Sequence, residues 1–292
     1  MGDASLLDAF ASSGHVVADA SIVERRRELR LFGCDFELCY VPQRGARGGI
    51  PGAGTAFRAH PGFRIRREEA FWRGDGLVAT PNRFPFLGAS FLLWNEGGCA
   101  REVDAAFLAP AFSHVEAAGA CLLANTVGAS ASIALAHAHV TLVAPPLLRD
   151  GAWPATCELA RRGDSLILAT MPGASWPFLS VEVRSPDPRR RAAWVAQVLA
   201  SRACPAANLL AVGDRAFILP RRAECGGAAF PFAIGASELS GRWIFADEER
   251  FEAATAAGLE ACLDAACVRV CENEAEAVAR VAERIVDEHA TP

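Results

Sequence analysis

No lysine occurs anywhere in the chain, so all 29 basic side chains are arginine. With the Ala and Gly richness, this marks a biased codon pool and carries no function of its own. Positive charge is not in excess: 34 acidic residues leave a net charge of −5 and a pI near 5.7. Surfaces that wrap nucleic acid usually show a basic excess, so no nucleic-acid partner is expected. Ten cysteines are present, yet no C-x-x-C and no zinc-type spacing. Most of them sit among Ala, Leu and Val, as reduced buried thiols do, so a cytoplasmic protein with free thiols is expected rather than a disulfide framework. The absence of G-x-G-x-x-G argues against a doubly wound dinucleotide fold. No apolar run reaches the length of a membrane span, and the first residues lack the basic n-region of a secretory leader. No membrane partner is expected.

What is present is a 292-residue chain, 52% hydrophobic, enough for one large domain or two modest ones. Strands are predicted over Phe36–Pro42, Gly76–Thr80, Ala89–Trp94, Ser130–Val143 and Asp164–Met171, and from Arg242 on. N-L-L-A-V-G-D-R-A-F-I-L-P reads as a hairpin bent at Gly213-Asp214. Helical spacing covers Ser113–Asn125, Pro188–Arg202, Glu248–Ala265 and Glu274–Glu288. A Gly-rich loop with Arg44 and Arg47 follows Pro42, and Pro81–Gly88 is a second turn-rich loop. Strands and helices mix without regular alternation, which predicts an α+β fold with largely antiparallel sheet. A boundary falls between Pro145 and Pro154, giving halves 1–150 and 151–292. Each half has strand pairs followed by a helix, the pattern of a divergent duplication.

Two of the six histidines lie one residue apart in N-T-V-G-A-S-A-S-I-A-L-A-H-A-H-V-T-L, Asn125–Leu142. On a strand, side chains alternate faces, so His137, His139 and Thr141 share one face while Ala136, Ala138 and Val140 take the other. Small residues upstream let another group approach the backbone. Three uses stay open on this pattern alone: a structural pair bonded to backbone carbonyls, two ligands of a zinc site that needs a third, or nucleophilic catalysis by an imidazole.

The same residues carry a resemblance. Asn125, Gly128, Ala129, Ala131, Ser132, Ile133, His137 and His139 stand in the order of the active-site segment of the histidine triad superfamily. The pattern resembles its galactose-1-phosphate uridylyltransferase-like branch, and within that the GDP-L-galactose and GDP-D-glucose phosphorylases. T-P-N-R-F-P-F-L-G resembles the segment lining their nucleotide pocket, and A-S-E-L-S-G-R-W-I-F-A-D-E-E-R-F-E resembles their C-terminal region. The resemblance runs from about Phe36 to Cys262. Two differences stand out: the spacer between Gly128 and His137 is longer than the family's, and Thr141 stands where the family has glutamine.

The resemblance implies a histidine-triad-like antiparallel sheet with flanking helices. It implies a nucleotidyltransferase or phosphorylase acting on a nucleotide-sugar, with phosphate or a sugar phosphate as second substrate; the alternatives are a hydrolase of the same nucleotides and a nucleotide-binding protein without turnover. No cofactor or metal is implied, and a homodimer is. His139 becomes the nucleophile that takes the nucleotidyl group, and His137 its support. Nucleotide and phosphate contacts fall to Asn82, Arg83, Phe84, Pro85, Asn125, Gly128, Ser130, Ser132, Thr141, Arg44 and Arg47. Glu238 is a contribution from the second half.

Overall fold

The computed structural model describes residues 5–47, 69–82, 85–97, 102–131, 135–149, 151–201, 206–270 and 272–288, and omits the side chains of 46, 47 and 272–275. Arg83, Phe84, Ser132 and the Arg47 side chain therefore lie outside what is described.

Helix α1 (Leu6–Ser12) precedes the hairpin β1 (Arg25–Leu31) and β2 (Cys34–Tyr40). The hairpin turns on Phe32 and Gly33, both with positive φ, as a two-residue loop between twisted strands requires. Three short strands follow: β3 (Trp72–Gly74), β4 (Leu77–Pro81) and β5 (Ser90–Asn95). Helix α2 (Ala105–Ala117) comes next, its first turn capped by the Asp104 carboxylate accepting from the Phe107 N–H at 2.9 Å. Strands β6 (Cys121–Asn125) and β7 (His137–Thr141) complete the first half.

The second half repeats this order. Strands β8 (Thr156–Arg162), β9 (Ser165–Thr170) and β10 (Val181–Arg184) lead to helix α3 (Pro188–Ala200), then β11 (Ala207–Val212) and β12 (Arg215–Pro220). All of these strands form one sheet in the order β3-β4-β5-β7-β6-β11-β12-β10-β9-β8. Each half is thus three strands, a helix and two strands, with the last strand inserted beside the third. The halves meet through β6 and β11, which occupy matching places and pair antiparallel, Leu123 opposite Leu210. Across the described sheet, the strands of the two halves thus share one connectivity.

Beyond the sheet lie the hairpin β13 (Cys225–Gly227) and β14 (Phe230–Ala233), the short helix α4 (Ala236–Leu239), β15 (Arg242–Phe245), and helices α5 (Glu248–Ala253), α6 (Ala256–Ala266) and α7 (Glu272–Glu288). β15 pairs in parallel with β2, closing a three-stranded sheet, β1-β2-β15.

The large sheet separates two apolar cores. One face, through Ala138, Val140, Leu209 and Ile218, packs on α1, α2, α3 and α7. The opposite face, through Cys121, Leu123, Leu210, Phe217 and Leu219, packs on the small sheet and α4–α6. Each fully buried apolar side chain, such as Phe107 or Phe217, contributes about 1.5–3 kcal/mol by leaving water.

Three expectations need correction. The helix placed at Ser113–Asn125 starts earlier and stops at Ala117, and Cys121–Asn125 is a strand; Gly119 in the left-handed region makes the turn between them. The strand expected from Ser130 begins only at His137. The helix expected over Glu248–Ala265 is two helices, because the Thr255 hydroxyl caps the Gly258 N–H at 3.2 Å and restarts the turn.

Candidate functional site

β7 lies between β5 and β6, so ladders on both sides fix its register and thereby its faces. His137 and His139 point to the face opposite α2 and α3, toward the second layer. Cross-strand neighbours share that face. His139 stands between Leu92 of β5 and Leu123 of β6, and His137 pairs with Trp94 of β5. Continuing the β6–β7 register one step sets Asn125 across from His137, and Asn125 pairs in turn with Asn208 of β11. One row across the sheet therefore reads Asn208, Asn125, His137, Trp94.

The two imidazoles sit in different surroundings. His137 is buried, 8% exposed, and its Nδ1 donates to the Leu135 carbonyl at 2.8 Å. That bond places the proton of the neutral ring on Nδ1 and the lone pair on Nε2. Its ring stacks on Trp94, centroids 4.8 Å apart at 25°, and the Trp94 indole N–H donates to the Thr80 hydroxyl at 2.9 Å. His139 is only half-buried. Its ring meets Phe86 at 4.9 Å and 66°, and lies 6.0 Å from the His137 ring.

Phe86 holds more than His139. The Arg44 guanidinium carbon sits 4.9 Å from the Phe86 centroid, a cation–π contact. Arg44 reaches there from a 3-10 turn, Pro42–Arg47, directly after β2. Arg44, Phe86 and His139 therefore form a column rising from the sheet. Asn82 follows β4 and is half-buried, as is Pro85, which precedes Phe86.

On the other side of the histidines lies the turn between β6 and β7. Asn125 accepts at Oδ1 from the Asn208 amide at 2.7 Å and from the Ala236 N–H at 2.9 Å. Its own amide reaches the Ser130 carbonyl at 3.5 Å. Gly128 and Ser130 both take positive φ, 84° and 74°. For serine that conformation is strained, so its surroundings must hold it; the Ser130 N–H donates to the Glu224 carboxylate at 3.2 Å.

Glu238 is 7% exposed at the start of α4 and accepts from the Gly235 N–H at 2.8 Å. Burial pushes its carboxyl above the ordinary range, against the pull of its backbone bonds and of the Arg44 and Arg221 charges. It is thus a helix-cap residue and lies within the field of a site arginine.

Thr141 departs from expectation. It shares the histidine face but is fully buried. Its hydroxyl lies 3.2 Å from the Val143 carbonyl and 3.4 Å from that of Gly88, and accepts from the Val143 N–H at 3.1 Å. The group is spent closing the strand end and is not presented to a phosphate. Sequence reasoning missed Trp94, Asn208, Arg221 and Glu224 as neighbours of the site, since only the strand register brings them there. Among the described residues no group of three or more His, Cys, Asp or Glu is placed to hold a metal ion.

No family model matches the sequence, and no curated protein matches it. Among solved structures, yeast Ap4A phosphorylase Apa2 in complex with Ap4A is similar, with a TM-score of 0.66 at 13% identity, covering 92% of this chain and 99% of that one. The same yeast protein in complex with AMP gives a TM-score of 0.63 at 15% identity, covering 90% and 94%. The chain has the α+β fold of yeast Ap4A phosphorylase over nearly its whole length.

Proposed function

We propose that the chain is a nucleotidyl-transferring enzyme that works through a covalent nucleotidyl-histidine at His139. The observation that carries this is the inequality of the two imidazoles: His139 is half-exposed beneath Phe86 and Arg44, whereas His137 is buried under Trp94 with its tautomer fixed. A nucleophile must be reachable in line with the bond it breaks, and a supporting group gains from being immobile.

In the first step a ring nitrogen of His139 attacks the α-phosphorus of a nucleotide. A P–N bond forms, the P–O bond to the leaving phosphate breaks, and its electron pair stays with the leaving oxygen. In the second, a phosphate oxygen attacks the same phosphorus and the P–N pair returns to the imidazole. Arg44 supplies positive charge for the phosphoryl oxygens.

The substrate class is a nucleoside 5′-phosphoryl group held in a phosphoanhydride. A nucleoside diphosphate sugar follows from the sequence resemblance to GDP-hexose phosphorylases. A dinucleoside polyphosphate follows from the likeness to the yeast protein, whose structures hold Ap4A and AMP. A panel of both, with and without inorganic phosphate and read by mass spectrometry, separates them. Phosphate-dependent release of a nucleoside diphosphate is the expected product. Intact-protein mass should show a nucleotidyl adduct that His139→Ala abolishes. A second assignment has its own support: the Nδ1 bond to Leu135 leaves the lone pair of the neutral His137 ring on Nε2. An adduct that survives His139→Ala and disappears in His137→Ala would establish it.

A further inference from the structure

We infer that Arg221 and Asn208, both from the second half, are positioning residues for the turn that faces the histidines; their effect on chemistry rests on the function proposed above. Arg221 is 2% exposed and has no carboxylate bonded to its guanidinium among the described residues. It is instead locked by carbonyls: Nε on Ala266 at 3.1 Å, Nη1 on Ile234 at 2.5 Å, and Nη2 on Ala223 at 2.8 Å and Glu224 at 3.3 Å. Burial lowers its pKa, as expected of a cation satisfied by neutral acceptors. A fork so held cannot rotate, and its Nη1 also donates to Asn208 Oδ1 at 2.7 Å.

That bond settles which way the fully buried Asn208 amide points. With its oxygen on Arg221, its nitrogen faces the first half and donates to Asn125 Oδ1 at 2.7 Å and to the Ala129 carbonyl at 2.8 Å. Asn125 then holds the Ser130 carbonyl and the Ala236 N–H. The relay Arg221, Asn208, Asn125 ends in the strained Ser130 turn, in the row that His137 occupies. Glu224, whose backbone carbonyl Arg221 grips, binds the Ser130 N–H through its side chain. A buried arginine thereby fixes both ends of the strained residue.

Asn208→Asp tests this. The carboxylate keeps its bond to Arg221, now as an ion pair, but turns both donors to Asn125 and Ala129 into acceptors facing acceptors. The melting temperature is expected to fall by a few degrees, since two buried acceptors lose their donors, so exchange and rate are compared on the folded protein. Amide exchange over residues 125–131 should rise, and the rate of nucleotidyl-histidine formation should fall roughly 100-fold, with far less change in the half-saturating nucleotide concentration. Gly235→Ala is the second variant: it removes no polar group and sets a methyl 3.3 Å from Ser130 Oγ and 3.5 Å from the Asn125 amide. It should move exchange and rate in the same direction. Folded Asn208→Asp with unchanged exchange and an unchanged rate overturns the inference, as does a rate that falls only with the melted fraction. Absence of any adduct in the unmodified protein sinks the covalent scheme instead, and exchange over 125–131 then decides the inference by itself.

Discussion

A buried hydroxyl must spend its bonds inside the protein, and Thr141 does so at the end of β7. Its replacement by valine keeps the shape, and leaves the Val143 N–H without its acceptor. The expected cost is about 1–2 kcal/mol of stability, read from urea unfolding, with turnover per folded molecule unchanged. A large loss of turnover in folded Thr141→Val would return the residue to the site. Arg44 is the opposite case. It stands on Phe86 above His139, and its charge also reaches the buried Glu238 carboxyl. Arg44→Ala should weaken nucleotide binding by roughly 1.5–3 kcal/mol, the range for a bond to a charged group, with little change in melting temperature. Titration calorimetry at two salt concentrations measures it, and the loss should be smaller at high salt. Equal affinity for both proteins would remove Arg44 from the phosphate path.

At the scale of elements, the loop Phe86–Ala89 is the piece that sets the column on His139. It has no slack: a Cβ on Gly88 would stand 2.4–2.6 Å from the backbone and side chain of Asp19, whose carboxylate already accepts the Gly88 N–H at 2.8 Å. Gly88→Ala must displace one chain or the other, at about 1–3 kcal/mol. The Phe86–His139 contact should open with it, so unfolding and nucleotide affinity should worsen together. A variant that lost neither would show that the N-terminal segment yields freely. None of this closeness is written locally in the sequence. The histidine face was readable because strand alternation is local, and β4, β5 and the β11–β12 hairpin were readable from apolar runs ending in turn residues. β1 was not, since Arg25–Leu31 alternates partly buried with exposed and carries four arginines on a strand that, among the described residues, pairs only with β2. The α2–β6 stretch misled for another reason: a continuous Ala- and Leu-rich run fits either period, and tertiary pairing decided it. Asn208 and Arg221 became part of the site only through the β6–β11 register, a long-range fact that one sequence does not state.

Over the whole molecule, the small sheet and the site loop are tied by an ionic cluster built around the buried Arg242. Arg242 of β15, 1% exposed, binds Glu37 of β2 at 2.9 Å and Asp19 at 3.1 Å; Arg149 binds Glu37 at 2.5 Å, and Arg26 pairs with Asp19. Burial alone would raise both carboxyls. For Asp19 the Gly88 N–H and the charges of Arg242 and Arg26 outweigh it, and for Glu37 Arg149 and Arg242 do, so both end below their ordinary values of 3.8 and 4.5. A carboxylate with a depressed folded pKa adds stability that is complete above its unfolded value and is lost as pH falls toward the folded one. Glu238 carries the opposite sign: its raised carboxyl favours the folded state most at low pH, and that contribution fades as pH rises through its folded value. Unfolding free energy should therefore fall below pH 4.5, where the unfolded chain takes up protons that folded Asp19 and Glu37 do not. Glu37→Gln should be less stable than the unmodified protein at neutral pH by roughly 2–3 kcal/mol, because Arg242 and Arg149 lose a buried charge partner. Its curve should be shallower in acid, so that the two proteins converge as pH drops. Urea unfolding across the range from neutral to acid reads both slopes. Parallel curves would mean that the acid sensitivity arises elsewhere. Because Asp19 also holds Gly88, nucleotide affinity should decline at lower pH than stability does, when folded Asp19 itself takes up a proton below its ordinary 3.8.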